Sequence, residues 1–229
     1  MILPSGLSLL DRIMSGGLST GIFTHVYGEA AAGKTTLALK FVGELCRQEL
    51  GTIYVNSENT SPVERLQQVT GRTFKDLEPF FKMLAPRGFL EQGVLLEDLE
   101  LYIRENTKLV VVDTLTKHYR LALEDKRTNY SNHRELNRQT GLLKGLAQNC
   151  DIAVLVLNQV TASMHGINDF EPVAGNILGY WSDYVIKMRI GRTQGGRILQ
   201  RLVPGGEKME GELFLTTEGF SMKPTHEKE

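Results

Sequence analysis

Gly28-Glu29-Ala30-Ala31-Ala32-Gly33-Lys34-Thr35-Thr36 has the spacing of a phosphate-binding P-loop: two glycines with four residues between them, then a lysine and a hydroxyl residue. Its flanks agree with that reading. Ile22 to Tyr27 is a short apolar run that reads as a buried strand. From Thr35 to Glu49, Leu37, Ala38, Phe41, Val42 and Leu45 recur at helical spacing and make one apolar face. A strand that feeds a glycine-rich turn and then a helix N-terminus aims backbone N–H groups and the positive end of the helix dipole at one point, which suits a polyphosphate. The loop predicts a bound nucleoside triphosphate, with Lys34 on the outer phosphates and the Thr35 hydroxyl on Mg²⁺.

The rest of the chain alternates strand and helix patterns around this unit. Residues 1–21 read as a lead-in helix, with Ser8 to Asp11 as its capping pattern and Leu7, Leu10, Ile13 and Met14 as its stripe. Thr52 to Ser57 reads as a strand. Ser61-Pro62-Val63-Glu64 then reads as a helix start, with Ser61 as N-cap, proline at the first position and Glu64 as the capping acid. Residues 80–86 suggest a strand, Leu95 to Ile103 an amphipathic helix, and Leu109-Val110-Val111-Val112-Asp113 an aliphatic strand of the kind covered on both faces. A helix over 133–149 and a strand over 152–158 follow. Tyr184–Ile190, Ile198–Val203 and Glu212–Thr216 then read as antiparallel edge strands. The expectation is one α/β domain over 1–229: a mostly parallel central sheet, helices on both faces, a small antiparallel C-terminal edge and a frayed tail at 224–229.

Composition narrows the function classes. A chain of 229 residues buries a full core, and 41% apolar with 23% charged residues is ordinary for a globular protein. The net charge of −1 supplies no global field for nucleic acid, so any such contact needs local basic patches. Cys46 and Cys150 lie among helical apolar residues and read as buried free thiols of a reducing compartment, and the five histidines show no ligand spacing. No apolar run approaches the roughly 20 residues of a membrane span, and no secretory signal opens the chain, so the expected location is cytoplasmic with no membrane partner.

Ligands of open parallel sheets bind beyond the carboxyl ends of the strands. Glu58, Asp113 and Gln159 stand there. Asp113 fits the acid that holds Mg²⁺ through water opposite Thr35. Glu58 fits a carboxylate that polarises a water for attack on the γ-phosphorus, and Gln159 an uncharged group that senses the γ-phosphate.

These residues carry a family resemblance. Tyr54 to Leu66 resembles the segment with the catalytic glutamate in RecA-type recombinases, and Leu109 to Thr114 resembles their second nucleotide motif. His118-Tyr119-Arg120, Leu157-Asn158-Gln159-Val160 and Pro172 to Gly179 are also similar to recombinase segments. The match runs from about Gly6 to Phe220 and has its nearest form in a short archaeal paralogue of the RadA recombinase. It implies a RecA-like ATPase core binding ATP and Mg²⁺. In that core Glu29, Ala30, Ala31, Ala32 and Thr36 complete the phosphate loop, and Glu58, Lys34 and Gln159 act in catalysis. It also implies that the strand ending at Asn158 lies between the P-loop strand and the Asp113 strand. Several features depart from a full recombinase: no helical N-terminal domain or Phe-x-x-Ala motif is present, Val160–Pro172 contains no Lys or Arg, and Asn56 stands where an aspartate is common. The resemblance therefore implies an accessory recombination and repair protein that binds ATP and DNA, hydrolyses ATP weakly if at all, and assists RadA. Weak self-association stays open.

Two basic clusters are candidates for single-stranded DNA. One comprises Lys126, Arg127, Arg134 and Arg138, around Asn129 to Asn132; the other Lys187, Arg189, Arg192, Arg197 and Arg201, with no acid between them in sequence. Arg197 and Arg201 are also candidates for a finger reaching a neighbour's γ-phosphate, and spacing selects neither. The alternative functions are a small-molecule P-loop kinase, a non-catalytic adaptor and a KaiC-like signalling ATPase.

Overall fold

The chain opens with β1 (Ile2–Leu3), α1 (Ser8–Ile13) and β2 (Leu18–Ser19), the two short strands pairing antiparallel. Then come β3 (Phe23–Gly28), α2 (Lys34–Arg47), β4 (Gly51–Asn56), α3 (Val63–Thr70), α4 (Phe74–Leu77), β5 (Phe81–Leu84) and α5 (Phe89–Glu97). They are followed by β6 (Thr107–Asp113), α6 (Lys117–Ala122), α7 (Asn129–Cys150), β7 (Ala153–Asn158), β8 (Val160–Ala162), β9 (Phe170–Pro172) and α8 (Gly175–Trp181). The chain ends in β10 (Tyr184–Ile190), β11 (Gly196–Val203), β12 (Met209–Thr216) and β13 (Gly219–Ser221). This computed structural model describes residues 1–123, 127–162, 170–205 and 209–224. The tail expected at 224–229 lies, beyond Pro224, outside the described residues.

Among the described residues the main sheet has nine strands in the order β13-β12-β11-β10-β3-β7-β6-β4-β5. The pairs from β10 through β3, β7, β6 and β4 to β5 are parallel; β10-β11-β12-β13 is antiparallel. β7 therefore separates the P-loop strand from the Asp113 strand, as the resemblance implied. Alternation along the strands explains the two layers. Leu109 and Val111 face one core with Leu37, Phe41, Leu66 and Leu77 of α2, α3 and α4. Val110 and Val112 face the other with Phe89, Tyr119, Leu136 and Leu178 of α5 to α8.

Local departures have identifiable causes. The lead-in is a helix of six residues, and Ser8 opens it rather than capping it. Asp11 instead accepts hydrogen bonds from the Ser5 N–H and hydroxyl, both 2.7 Å. At α3 the expected capping box is absent: Pro62 is the N-cap and no side-chain cap forms. The Ser61 hydroxyl accepts from the Val63 N–H, 3.3 Å, a two-residue turn that leaves Glu64 without the cap role. Cys46 is buried, which pushes its thiol up to about 11, whereas Cys150, the last residue of α7, is half-buried. No helix among the described residues is long and apolar enough to cross a membrane.

Candidate nucleotide-binding site

The P-loop leaves the C-terminal end of β3 and turns into α2 through two left-handed residues, Ala31 (φ 60°) and Gly33 (φ 92°). Gly28 is required by proximity: a Cβ there would lie 2.4 Å from the Met188 carbonyl of β10. Gly33 is required twice, by its φ and by the Phe220 ring, whose edge would sit 2.7 Å from an added Cβ. Lys34 curls back over the loop and its Nζ donates to the carbonyls of Gly28 and Glu29, both 2.8 Å. Burial lowers the Lys34 pKa, opposed by the charges of Asp113, Glu58 and Glu29. The loop is braced from the β10–β11 hairpin: the Ile190 N–H donates to Glu29 Oε1 (2.9 Å) and Arg197 Nε to the Ala31 carbonyl (3.1 Å). Arg65 of α3 ties Thr36 (3.3 Å) to the Thr216 carbonyl (2.8 Å) and the Thr217 carbonyl (2.6 Å) at the β12–β13 turn.

Asp113 ends β6 directly opposite Asn56. Its Oδ2 accepts from the Thr35 hydroxyl at 2.7 Å and from the Tyr54 hydroxyl at 2.6 Å. Burial pushes the Asp113 carboxyl up, and the two hydroxyl donors pull it back down. Burial also holds the Tyr54 phenol well above its usual range, with Asp113 adding to the effect. A hydroxyl and a carboxylate offer only oxygen ligands, the donor set of a hard cation, so Thr35 and Asp113 fit Mg²⁺ completed by phosphate oxygens and water. Among the described residues there is no group of three or more His, Cys, Asp or Glu for a metal held by protein alone.

The third pole is Glu58, in the loop after β4. Its Oε1 accepts from Thr114 Oγ1 (2.9 Å) and from Gln159 Nε2 (3.1 Å), and Arg120 of α6 donates to Gln159 Oε1 at 2.8 Å. Lys34, Thr35, Glu58, Asp113 and Gln159 therefore line one cleft of about 630 Å³, a volume suited to a ligand of nucleotide size. Asn158, beside Gln159, is structural: it accepts from Thr116 Oγ1 and donates to the Val173 carbonyl, 2.9 Å.

Tyr54, Arg65, Thr114 and Arg120 of the site were given no individual role by the sequence reading. Tyr54 had a usable signal: with period two it faces the same side as Asn56, next to the Asp113 strand. Thr114 and Arg65 lie in segments that carry the family resemblance, but their partners, 56 and 151 positions away, could not be read from the sequence.

The basic clusters are rearranged. Lys126 lies outside the described residues. Arg127, Arg134 and Arg138 are all exposed near the start of α7, and Arg138 also pairs with Glu135 (2.8 Å) and Glu97 (3.2 Å). In the second cluster the antiparallel partner strand brings in acids that the linear reading missed. Glu210 lies 3.7 Å from Arg189. Arg201 donates to the Ile13 carbonyl (3.2 Å) and the Ser15 hydroxyl (2.8 Å). Arg197, expected as a DNA contact, also lines the nucleotide cleft, because the β10–β11 hairpin folds over the P-loop. Arg192 remains exposed on the turn between these strands.

Comparison with known proteins agrees with this geometry. The Rad51 family model matches residues 1–219. A DNA repair and recombination protein RadB of Methanococcoides burtonii is 30% identical over 220 residues, 95% of this chain and 96% of its own length. The RadB of Archaeoglobus fulgidus is 34% identical over 191 residues, 82% of this chain and 83% of its own. A crystal structure of a RadB recombinase superposes with a TM-score of 0.77 at 31% identity, covering 96% of this chain and 98% of that one. The chain belongs to the Rad51 family, in its RadB group.

Proposed function

We propose that this chain is an ATP- and DNA-binding accessory protein of homologous recombination and DNA repair, which turns ATP over slowly and assists a RadA-type recombinase. One observation carries the nucleotide part: the Thr35–Asp113 pair and the Glu58–Gln159 pair face a single P-loop across one cleft. Lys34 exchanges its two loop carbonyls for phosphate oxygens when a triphosphate enters. Thr35 and Asp113 would hold Mg²⁺, which would supply charge neutralisation for the phosphates. Glu58 orients a water, and Gln159 reports the γ-phosphate through Arg120 to α6.

The exposed Arg127, Arg134 and Arg192, with Lys126, are the proposed contacts for single-stranded DNA, and the names of the relatives support that role. The test is an anisotropy titration of a labelled single-stranded oligonucleotide with ATP, ADP or no nucleotide, repeated across salt. Affinity is expected to depend on ATP, and Arg134→Ala to weaken it and reduce the salt slope by about one phosphate contact. Absence of binding at low salt in all three nucleotide states would refute the DNA part.

A further inference from the structure

Both oxygens of the Glu58 carboxylate have polar neighbours. Oε1 already accepts from Thr114 and Gln159. Oε2 faces the ammonium of Lys117, 3.5 Å away, in a pair whose side chains are 16% exposed for the lysine and 31% for the glutamate. The ammonium is also anchored by Asn59, whose Oδ1 accepts from it at 2.9 Å. Lys117 is thus clamped onto two consecutive residues of the loop that carries the carboxylate. It is the first residue of α6, the helix whose Arg120 reaches Gln159, so one helix applies a cation to Glu58 directly and another through the sensor. Unlike Arg120, Lys117 does not line the nucleotide cleft.

A carboxylate that orients a water for attack needs an available lone pair and its full negative charge toward the cleft. Here a water can reach Oε2, but only beside the Lys117 ammonium, which offsets part of the carboxylate's charge and biases its orientation. From this geometry we infer that Lys117 is a positioning residue that restrains Glu58 and keeps hydrolysis slow. The inference rests on the nucleotide reading of the cleft and adds the source of its low turnover. α6 is the element whose displacement would release the carboxylate.

The test compares steady-state hydrolysis of Mg-ATP with nucleotide affinity by calorimetry in the full chain. Lys117→Met keeps the apolar stem and removes the charge. It is expected to raise kcat roughly 5–10-fold, a modest share of the ~10²-fold or more that a positioned base contributes, and to leave the Kd for Mg-ATP unchanged. Lys117→Arg should keep the slow rate, and Asn59→Ala, which loosens the clamp without removing charge, should give a smaller gain. The gain should vanish in the double variant Lys117→Met/Glu58→Gln, an outcome that general loosening of the fold would not produce. A Lys117→Met protein that binds Mg-ATP normally but turns it over no faster than wild type overturns the inference. Failure of wild type itself to bind Mg-ATP overturns the underlying reading, and this inference with it.

Discussion

His25 offers a pH perturbation whose size follows from the structure. It stands on the P-loop strand between Val156 of β7 and Val185 of β10, 1% exposed, and neither ring nitrogen has a hydrogen-bond partner. Burial alone lowers its pKa from 6.5 to about 3. The folded ring is therefore neutral down to about pH 3, whereas the unfolded ring charges as pH falls through 6.5. Above pH 6.5 neither state holds the extra proton and stability is unaffected. Below it the unfolded chain takes up a proton that the folded chain refuses, so stability drops by about 1.4 kcal/mol per pH unit, to a total of roughly 4–5 kcal/mol near pH 3. The assay is urea unfolding of wild type and His25→Leu between pH 7.5 and 5. Carboxylates titrate alike in both proteins and cancel. At pH 7.5 the leucine variant should be as stable as wild type or more so, because two buried unpaired nitrogens are gone. Between pH 7 and 5 wild type should lose about 2 kcal/mol relative to the variant. Parallel curves would refute the argument, since they would mean that the ring charges as readily in the folded protein as outside it.

Two further expectations concern the cleft. Tyr54→Phe removes a donor from the buried Asp113 carboxylate and should cost about 1–3 kcal/mol by denaturant unfolding; no measurable loss would show that the 2.6 Å contact contributes nothing. Gly33→Ala places a methyl at φ 92° against Phe220 and should destabilise by about 1–2 kcal/mol from the backbone alone. Adding Phe220→Leu should relieve the clash but not the strain, so full rescue by that second change would contradict the backbone argument.

The nucleotide half of the site was legible because its signals are contiguous. The glycine–lysine–threonine spacing needs nothing outside residues 28–36, and Asp113 is marked by four aliphatic residues that can only be a covered strand. Strand order was supplied by the family resemblance; periodicity alone could not have put β7 between β3 and β6. The surroundings of the second basic cluster were not legible because charge was read along one strand, while an antiparallel sheet sets each residue beside one from another strand: Gln200 stands opposite Glu210, and Ile198 opposite Glu212. α8 went unread for want of periodicity, since Leu178 is its one buried side chain. Lys117 and Glu58 are 59 positions apart in the chain, and only the fold brings them to 3.5 Å.

The central claim is that the loop after β3 grips a magnesium-bound triphosphate. Calorimetric injection of Mg-ATP into wild-type protein and into Lys34→Ala tests it most directly. A saturable heat with one site per chain in wild type, and affinity at least about tenfold weaker in the variant, is the predicted result. No heat from folded wild type, or equal affinity in the two proteins, would contradict it.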